Sequence, residues 1–214
     1  IQVGLVGSEM CIRDRQKELE FLIFYTQCIN FSRDLINSPA NKLNPLSYYT
    51  KIKNNQMFKK FNFVEHSEKD IGTQFPLTYA VGKSSSVKPK VIEITNKKIL
   101  QKDKPLVIIG KGVTFDTGGV NIKPGNSMRN MKKDMGGSAI AISLFLLANY
   151  SLKKTKIVLI APLAENSVSS KSMRPGDVYK SASGKSVEIA HTDAEGRLLS
   201  VSYTHLRAHE TNLD

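Results

Sequence analysis

Apolar residues recur along this chain in two rhythms, one helical and one extended. Between Gln16 and Asn37, Leu19, Leu22, Ile23, Tyr25, Ile29, Phe31, Leu35 and Ile36 fall at mixed helical spacing, and the run stops before Ser38-Pro39. That pattern predicts a long helix ended by proline. Asn44-Pro45 opens a second helix expected to reach about Phe58. Phe61 to Val64, Thr78 to Val81 and Val91 to Thr95 are β-rich runs bounded by Lys, Ser, Gly and Pro, as strands are. Leu106 to Ile109 and Ile157 to Ala161 are compact apolar runs, the mark of strands buried on both faces. A glycine-rich loop precedes a helix expected from Asp134 to Tyr150, and Val187 to Ala190 is a last short strand. Strands alternating with helices imply an α/β domain, three layers deep (α/β/α), with a largely parallel or mixed central sheet.

Composition narrows the class. The 214 residues are 40% hydrophobic and 23% charged, enough for a packed core and incompatible with global disorder. The longest apolar stretch, Ala139 to Ala148, is shorter than the roughly 18 residues a bilayer crossing requires. The start, Ile1 to Val6, lacks the basic and apolar regions of a secretory signal. Two cysteines, Cys11 and Cys28, cannot build a disulfide framework. A cytoplasmic chain without membrane association is expected. Thirty-one basic and 19 acidic side chains give a net charge of +12, which permits nucleic acid as a partner. The lysines are scattered singly or in pairs between apolar segments, the pattern of a solvated surface, so nucleic acid is not favoured.

Two further signals are set aside. Gly82-Lys83-Ser84 and Gly184-Lys185-Ser186 end like phosphate-binding loops, yet Leu77 and Tyr179 stand where the leading glycine belongs. His66 stands alone near a strand end and reads as a surface residue. The stretch from Gly110 to Arg197 is different. Asp116 lies among glycines after the strand Leu106 to Ile109, Asp134 precedes Met135-Gly136-Gly137, and Asp193 and Glu195 follow the last strand. In open α/β sheets such strand ends face the ligand cleft. Singly, Asp134 could be a helix N-cap and Asp193 a turn residue. Together, four carboxylates in one cleft repel one another unless cations intervene, and two divalent ions would cancel them. Oxygen ligands suit manganese, magnesium or zinc, and Lys111 could add a neutral amine.

These blocks resemble the leucyl (cytosol) aminopeptidase family. The resemblance is carried by Gly110 to Lys123, by Met131-Lys132-Lys133-Asp134-Met135-Gly136-Gly137 and by Thr192-Asp193-Ala194-Glu195-Gly196-Arg197. Asn37 to Asn41 with Pro45, Ala164-Glu165-Asn166 and Arg174 to Val178 support it. It implies a two-metal exopeptidase, with manganese or zinc, that removes leucine-like apolar residues from peptide N-termini. Asp116 and Glu195 would serve both metals, Asp193 would complete one site, and Lys111 and Asp134 the other. A water or hydroxide between the ions would be the nucleophile. Lys123 would polarise the scissile carbonyl, Arg197 would hold a bicarbonate, and Met131 would line the pocket for the first side chain. The family also implies a homo-hexamer. A nucleic-acid-binding or catalytically inactive relative is the alternative.

The sequence departs from the family in three places. His191 stands where Asn is usual, and Thr117 where Ser is commoner. Residues 1–15 and 200–214 have no family counterpart and read as foreign ends around a partial catalytic domain, 16–199. A domain cut short at its C-terminus is expected to be inactive and poorly folded as a separate polypeptide.

Overall fold

The computed structural model describes residues 4–96 and 104–200, with side chains from residue 15 onward. Of the terminal segments expected to be foreign, residues 4–15 are described as part of the first helix, whereas 1–3 and 201–214, with His205 and His209, lie outside the described residues.

The first helix, α1 (Gly4–Asn37), contains the expected span and continues toward the N-terminus. It ends where Pro39 forbids continuation. A second helix, α2 (Pro45–Asn54), starts with Pro45 in its first turn and a capping box in which Asn44 and Ser47 exchange side-chain and backbone hydrogen bonds. It stops short of the expected Phe58 because Asn55 is extended, and a separate 3-10 turn covers Gln56–Phe58. Strand β1 (Asn62–Val64) follows, then α3 (Glu68–Gln74), which the apolar pattern did not reveal.

The expected strand at Thr78 to Val81 is instead helix α4 (Pro76–Gly82). Pro76 presets helical φ at its first turn, and Tyr79 N–H and Lys83 N–H donate to the carbonyls of Phe75 and Tyr79. Strands β2 (Lys90–Thr95), β3 (Leu106–Ile109), β4 (Gly112–Asp116) and β5 (Ile157–Asn166) form the rest of the main sheet, and α5 (Gly136–Ser151) lies between β4 and β5 in the chain. A separate antiparallel ribbon joins β6 (Val178–Lys180) to β7 (Ser186–Glu188). The strand expected at Val187 to Ala190 therefore belongs to this ribbon rather than to the main sheet.

The sheet is mixed. β5 is its axis, antiparallel to β2 along one edge and parallel to β3 and then β4 along the other. β1 adds antiparallel to β2. Alternate residues of β5 serve two cores: Ile157, Leu159, Ala161 and Leu163 pack with α1, α2 and α5, while Val158 and Ile160 pack with Ile71 and Phe75 of the α3–α4 side. Ile157 to Ile160 are all fully buried, each contributing about 2 kcal/mol of apolar transfer. The three-layer α/β/α architecture is thus present. β3 departs from expectation, since Leu106 is 44% exposed and only Ile108 is buried. It pairs with β5 alone among the described residues, so it is an edge strand.

Helices α1 and α5 lie against each other through small polar contacts. The Ser143 hydroxyl donates to the Cys28 carbonyl at 2.6 Å and Ser32 donates to the Ala139 carbonyl at 2.8 Å. This packing fixes the start of α5, and with it the segment just before, at the ends of β4 and β5.

Candidate metal centre

Three segments at one end of the sheet carry the acidic residues. β4 ends at Asp116, a 3-10 segment (Met131–Met135) carries Asp134, and the loop after the ribbon carries Asp193 and Glu195. Gly118 and Gly119, with φ of +88° and +65°, turn the chain sharply after Asp116. A Cβ on Gly119 would lie 2.9 Å from the Thr192 hydroxyl, so only glycine lets this turn meet the Asp193 loop.

The chain brings all four carboxylates and both lysines together. Oxygens of Asp116, Asp193 and Glu195 lie within 4.8 Å of one another. Lys111 Nζ stands 2.9 Å from Asp134 and 2.8 Å from Glu195. Lys123 Nζ stands 2.9 Å from Asp116 and also contacts Asp193. Each lysine thus spans two carboxylates. Asp116 and Glu195 are almost closed off, at 3% and 2% side-chain exposure. Asp134 is not a helix cap: the residue before α5 is Met135 and makes no side-chain cap bond. Asp193 is likewise an ion-pairing group rather than a simple turn residue.

Burial draws the Lys111 pKa down, yet hydrogen bonds to Glu195 and Asp134 outweigh it and leave the ammonium favoured. Lys123 behaves in the same way through Asp193 and Asp116. Glu195 is pushed up, by burial first and by the charge of Asp116, against the pull of Lys111. As an ammonium Lys111 is a counter-ion; acting as the amine ligand suggested by its position requires loss of that proton.

Charge counting tests whether the group fits a metal. Four carboxylates against two ammonium groups leave −2, and Glu195 Oε2 is buried with no hydrogen-bond partner among the described residues. Uncompensated buried carboxylate is costly. An all-oxygen set with a spare, unpartnered oxygen is what hard or borderline dications accept. The donor set fits.

The remaining site residues lie around this cluster. Met131 is half-buried and opens the segment that carries Asp134, and Arg197 is exposed in the helical turn at 196–200. His191 is exposed, and its Nδ1 accepts from the Asp193 backbone N–H at 3.2 Å. It braces the Asp193 loop and stands outside the acidic trio. Thr117 donates to the Asn166 carbonyl at 2.8 Å. His66 is not a surface residue: its side chain is 7% exposed, 2.9 Å from Glu93 and edge-on to Phe75. Neither Gly-Lys-Ser triplet forms a phosphate loop. Lys83 donates to the Tyr179 hydroxyl, and Gly184 lies between β6 and β7.

Asn166 and Thr192 lie within the Ala164-Glu165-Asn166 and Thr192 to Arg197 blocks, yet the sequence alone assigns neither a role. Asn166 Nδ2 donates to Asp116 at 2.8 Å, and Thr192 is fully buried against the Gly118 turn. Their polarity at strand and loop ends was the available signal.

Comparison with known proteins agrees with this geometry. A family model described as the cytosol aminopeptidase family, catalytic domain, matches residues 30–203. A probable cytosol aminopeptidase of Corynebacterium glutamicum is 40% identical over 174 residues, which cover 81% of this chain and 35% of that protein. The cytosol aminopeptidase of Dictyostelium discoideum is 38% identical, with 79% and 34% covered. Among solved structures, the cytosol aminopeptidase of Coxiella burnetii superposes with a TM-score of 0.79 at 36% identity, covering 88% of this chain and 41% of that one. The leucyl aminopeptidase of Trypanosoma brucei, in complex with bestatin, gives 0.77 at 28% identity, with 84% and 35% covered. The bottromycin maturation enzyme BotP, in complex with Mn, gives 0.76 at 29%, with 87% and 41% covered. The chain spans about a third of the length of the curated relatives it matches. With a family match over most of its length and a carboxylate–lysine cluster at the sheet end, this chain belongs to the cytosol aminopeptidase family, within its catalytic domain.

Proposed function

We propose that the intact protein is a two-metal-dependent aminopeptidase that releases leucine-like apolar residues from peptide N-termini. The observation that carries this reading is the convergence of Asp116, Asp134, Asp193 and Glu195, with two lysines too few to neutralise them. BotP is described with manganese, and the Trypanosoma brucei leucyl aminopeptidase with bestatin; both share this fold. Manganese or zinc would be held by Lys111, Asp116, Asp134, Asp193 and Glu195. Bound there, the two ions supply Lewis acidity and a water of lowered pKa. The chain does the rest. Asp116 and Glu195, the most buried of the four, each contact one of the lysines and would serve both metal positions. Lys123 is long enough to leave its carboxylate partners and place its ammonium on the substrate carbonyl, where developing negative charge would be stabilised. Arg197, exposed two positions after Glu195 in the chain, would hold a bicarbonate. Met131 lines the pocket for the first side chain. The intact protein assembles as a homo-hexamer in the cytoplasm, and residues 16–199 are part of its catalytic domain. Among the described residues no helix is long and apolar enough to cross a membrane.

Metal analysis of purified variants of the intact protein tests this assignment. Asp193→Ala and Glu195→Ala should abolish hydrolysis of a leucine-derived chromogenic amide and lose metal. Lys123→Ala and Arg197→Ala should slow turnover while metal content stays near normal. A metal-free Lys123→Ala protein overturns the division of roles.

A further inference from the structure

We propose that Asn166 and Thr192 are positioning residues of the metal centre, a neutral clasp that holds the Asp116 turn and the Asp193 loop in register. The inference rests on the two-metal reading above and adds to it what keeps two of the carboxylates in place.

Asp116 and Asp193 sit on segments far apart in the chain, and Lys123 touches both. An ammonium between two carboxylates is a poor ruler, since its position depends on the charges around it. Asn166 and Thr192 carry no charge and do not have that dependence. Asn166 ends β5 directly opposite Asp116 at the end of β4. Its amide spends both hydrogens across the gap: one goes to Asp116 Oδ1 at 2.8 Å and the other to the Thr192 carbonyl at 3.1 Å. The Gly118 N–H also donates to Asp116 Oδ1, at 2.9 Å. Two donors therefore occupy one oxygen of Asp116, and Oδ2 is the oxygen turned toward the cationic side, 2.9 Å from Lys123.

Thr192 closes the clasp from the other side. Its hydroxyl donates to the Gly118 carbonyl at 2.5 Å and accepts from the Asn121 N–H at 2.9 Å, while its own N–H donates to Asn121 Oδ1 at 2.9 Å. Thr192 immediately precedes Asp193, so these bonds set where that carboxylate starts. Both residues are buried, at 1% and 0% exposure. Buried networks with every donor used are rigid, and ligand-orienting partners of this kind typically carry about 10–100-fold in metal affinity.

Manganese titration of the intact protein, by calorimetry and by electron paramagnetic resonance of the bound ions, tests the clasp. Thr192→Val removes only the hydroxyl, Thr192→Ser keeps it, and Asn166→Ala removes the amide by an independent route should the valine variant fail to fold. Expected is a loss of about 10–100-fold in manganese affinity for Thr192→Val and Asn166→Ala, with a broadened resonance from misplaced ions. Thr192→Ser should remain within about threefold of wild type, because the bond that matters is retained. The KM for a leucine amide should hardly move, since neither side chain is placed on substrate. Variants that melt earlier without metal yet bind manganese like wild type would reduce Asn166 and Thr192 to ordinary structural residues and overturn the proposal. A wild-type protein that takes up no manganese overturns the two-metal reading, and the clasp with it.

Discussion

Glu195 and Glu93 are both glutamates closed off from solvent, at 2% and 9% side-chain exposure, and they are partnered in different ways. Glu93 on β2 meets His66 at 2.9 Å, and the imidazole stands edge-on to Phe75. That arrangement sets the acid against an imidazole and an aromatic wall. Glu195 shares Lys111 with Asp134, faces the carboxylates of Asp116 and Asp193, and keeps one oxygen without a hydrogen bond among the described residues. A fold seeking stability alone would not gather four acids around two bases, because buried like charges cost more than they return. The His66–Glu93 contact ties β2 to the segment just before α3. The unbalanced cluster suits the proposed metal centre, in which cations would supply the remaining charge.

Removing divalent cations should break this contrast most sharply. Dialysis of the intact protein against a chelator should abolish peptidase activity, and manganese should restore it. The melting temperature should fall as well, because a ligand bound only to the native state stabilises by about 2.7 kcal/mol at one hundred times its Kd. Calorimetry with and without the chelator checks both. An unchanged melting temperature together with full activity would mean that the carboxylate cluster balances its charge by itself.

The second prediction concerns the paired glutamate. Glu93→Ala should destabilise the fold by about 1–3 kcal/mol, since it strands a buried imidazole beside Phe75. Metal content and activity of the folded fraction should be untouched. Replacing both partners, Glu93→Leu with His66→Phe, should recover much of the loss, because apolar groups of similar shape can substitute for a buried pair. Chemical denaturation of the single and double variants checks this. Loss of metal from Glu93→Ala would show that the two regions are coupled.

The centre was far more legible in the sequence than its surroundings. Asp116, Asp134, Asp193 and Glu195 each lie beside glycines in short blocks, so residue type and local pattern flagged them before any contact was known. The exchange of partners was not legible, because Lys111 reaches Glu195 across 84 positions (195 minus 111) and only the fold brings them together. His66 misled for the same reason: its partner Glu93 lies 27 positions away, and nothing local hides an imidazole from water. At Thr78 to Val81 the β-rich composition pointed to a strand, while Pro76 and the backbone hydrogen bonds decided for helix. β4 was hidden by its glycines, which read as a loop; a Cβ on Gly112 would come within 2.5 Å of the Pro162 carbonyl oxygen, so the residue is there for close strand pairing.

The smallest expected effect belongs to a third buried acid, one kept neutral by holding its proton. Cys28 is fully buried where α1 meets α5, and burial pushes its thiol up from 9.0 to about 11. The sign follows from which form each state prefers. Between these two values an unfolded chain releases the thiol proton and the native protein keeps it, so unfolding is favoured increasingly as pH rises. Below pH 9 the group contributes no pH dependence. Thiol-directed reagents at pH 8 should therefore leave Cys28 untouched in the native protein and react on denaturation, because the thiolate is the reactive form and the side chain is covered. Cys28→Ala should flatten the alkaline limb of the stability curve between pH 9 and 11, with a modest overall loss from the cavity it leaves. Rapid native-state labelling of Cys28 at pH 8 would show that α1 and α5 separate far more readily than their buried serine contacts imply.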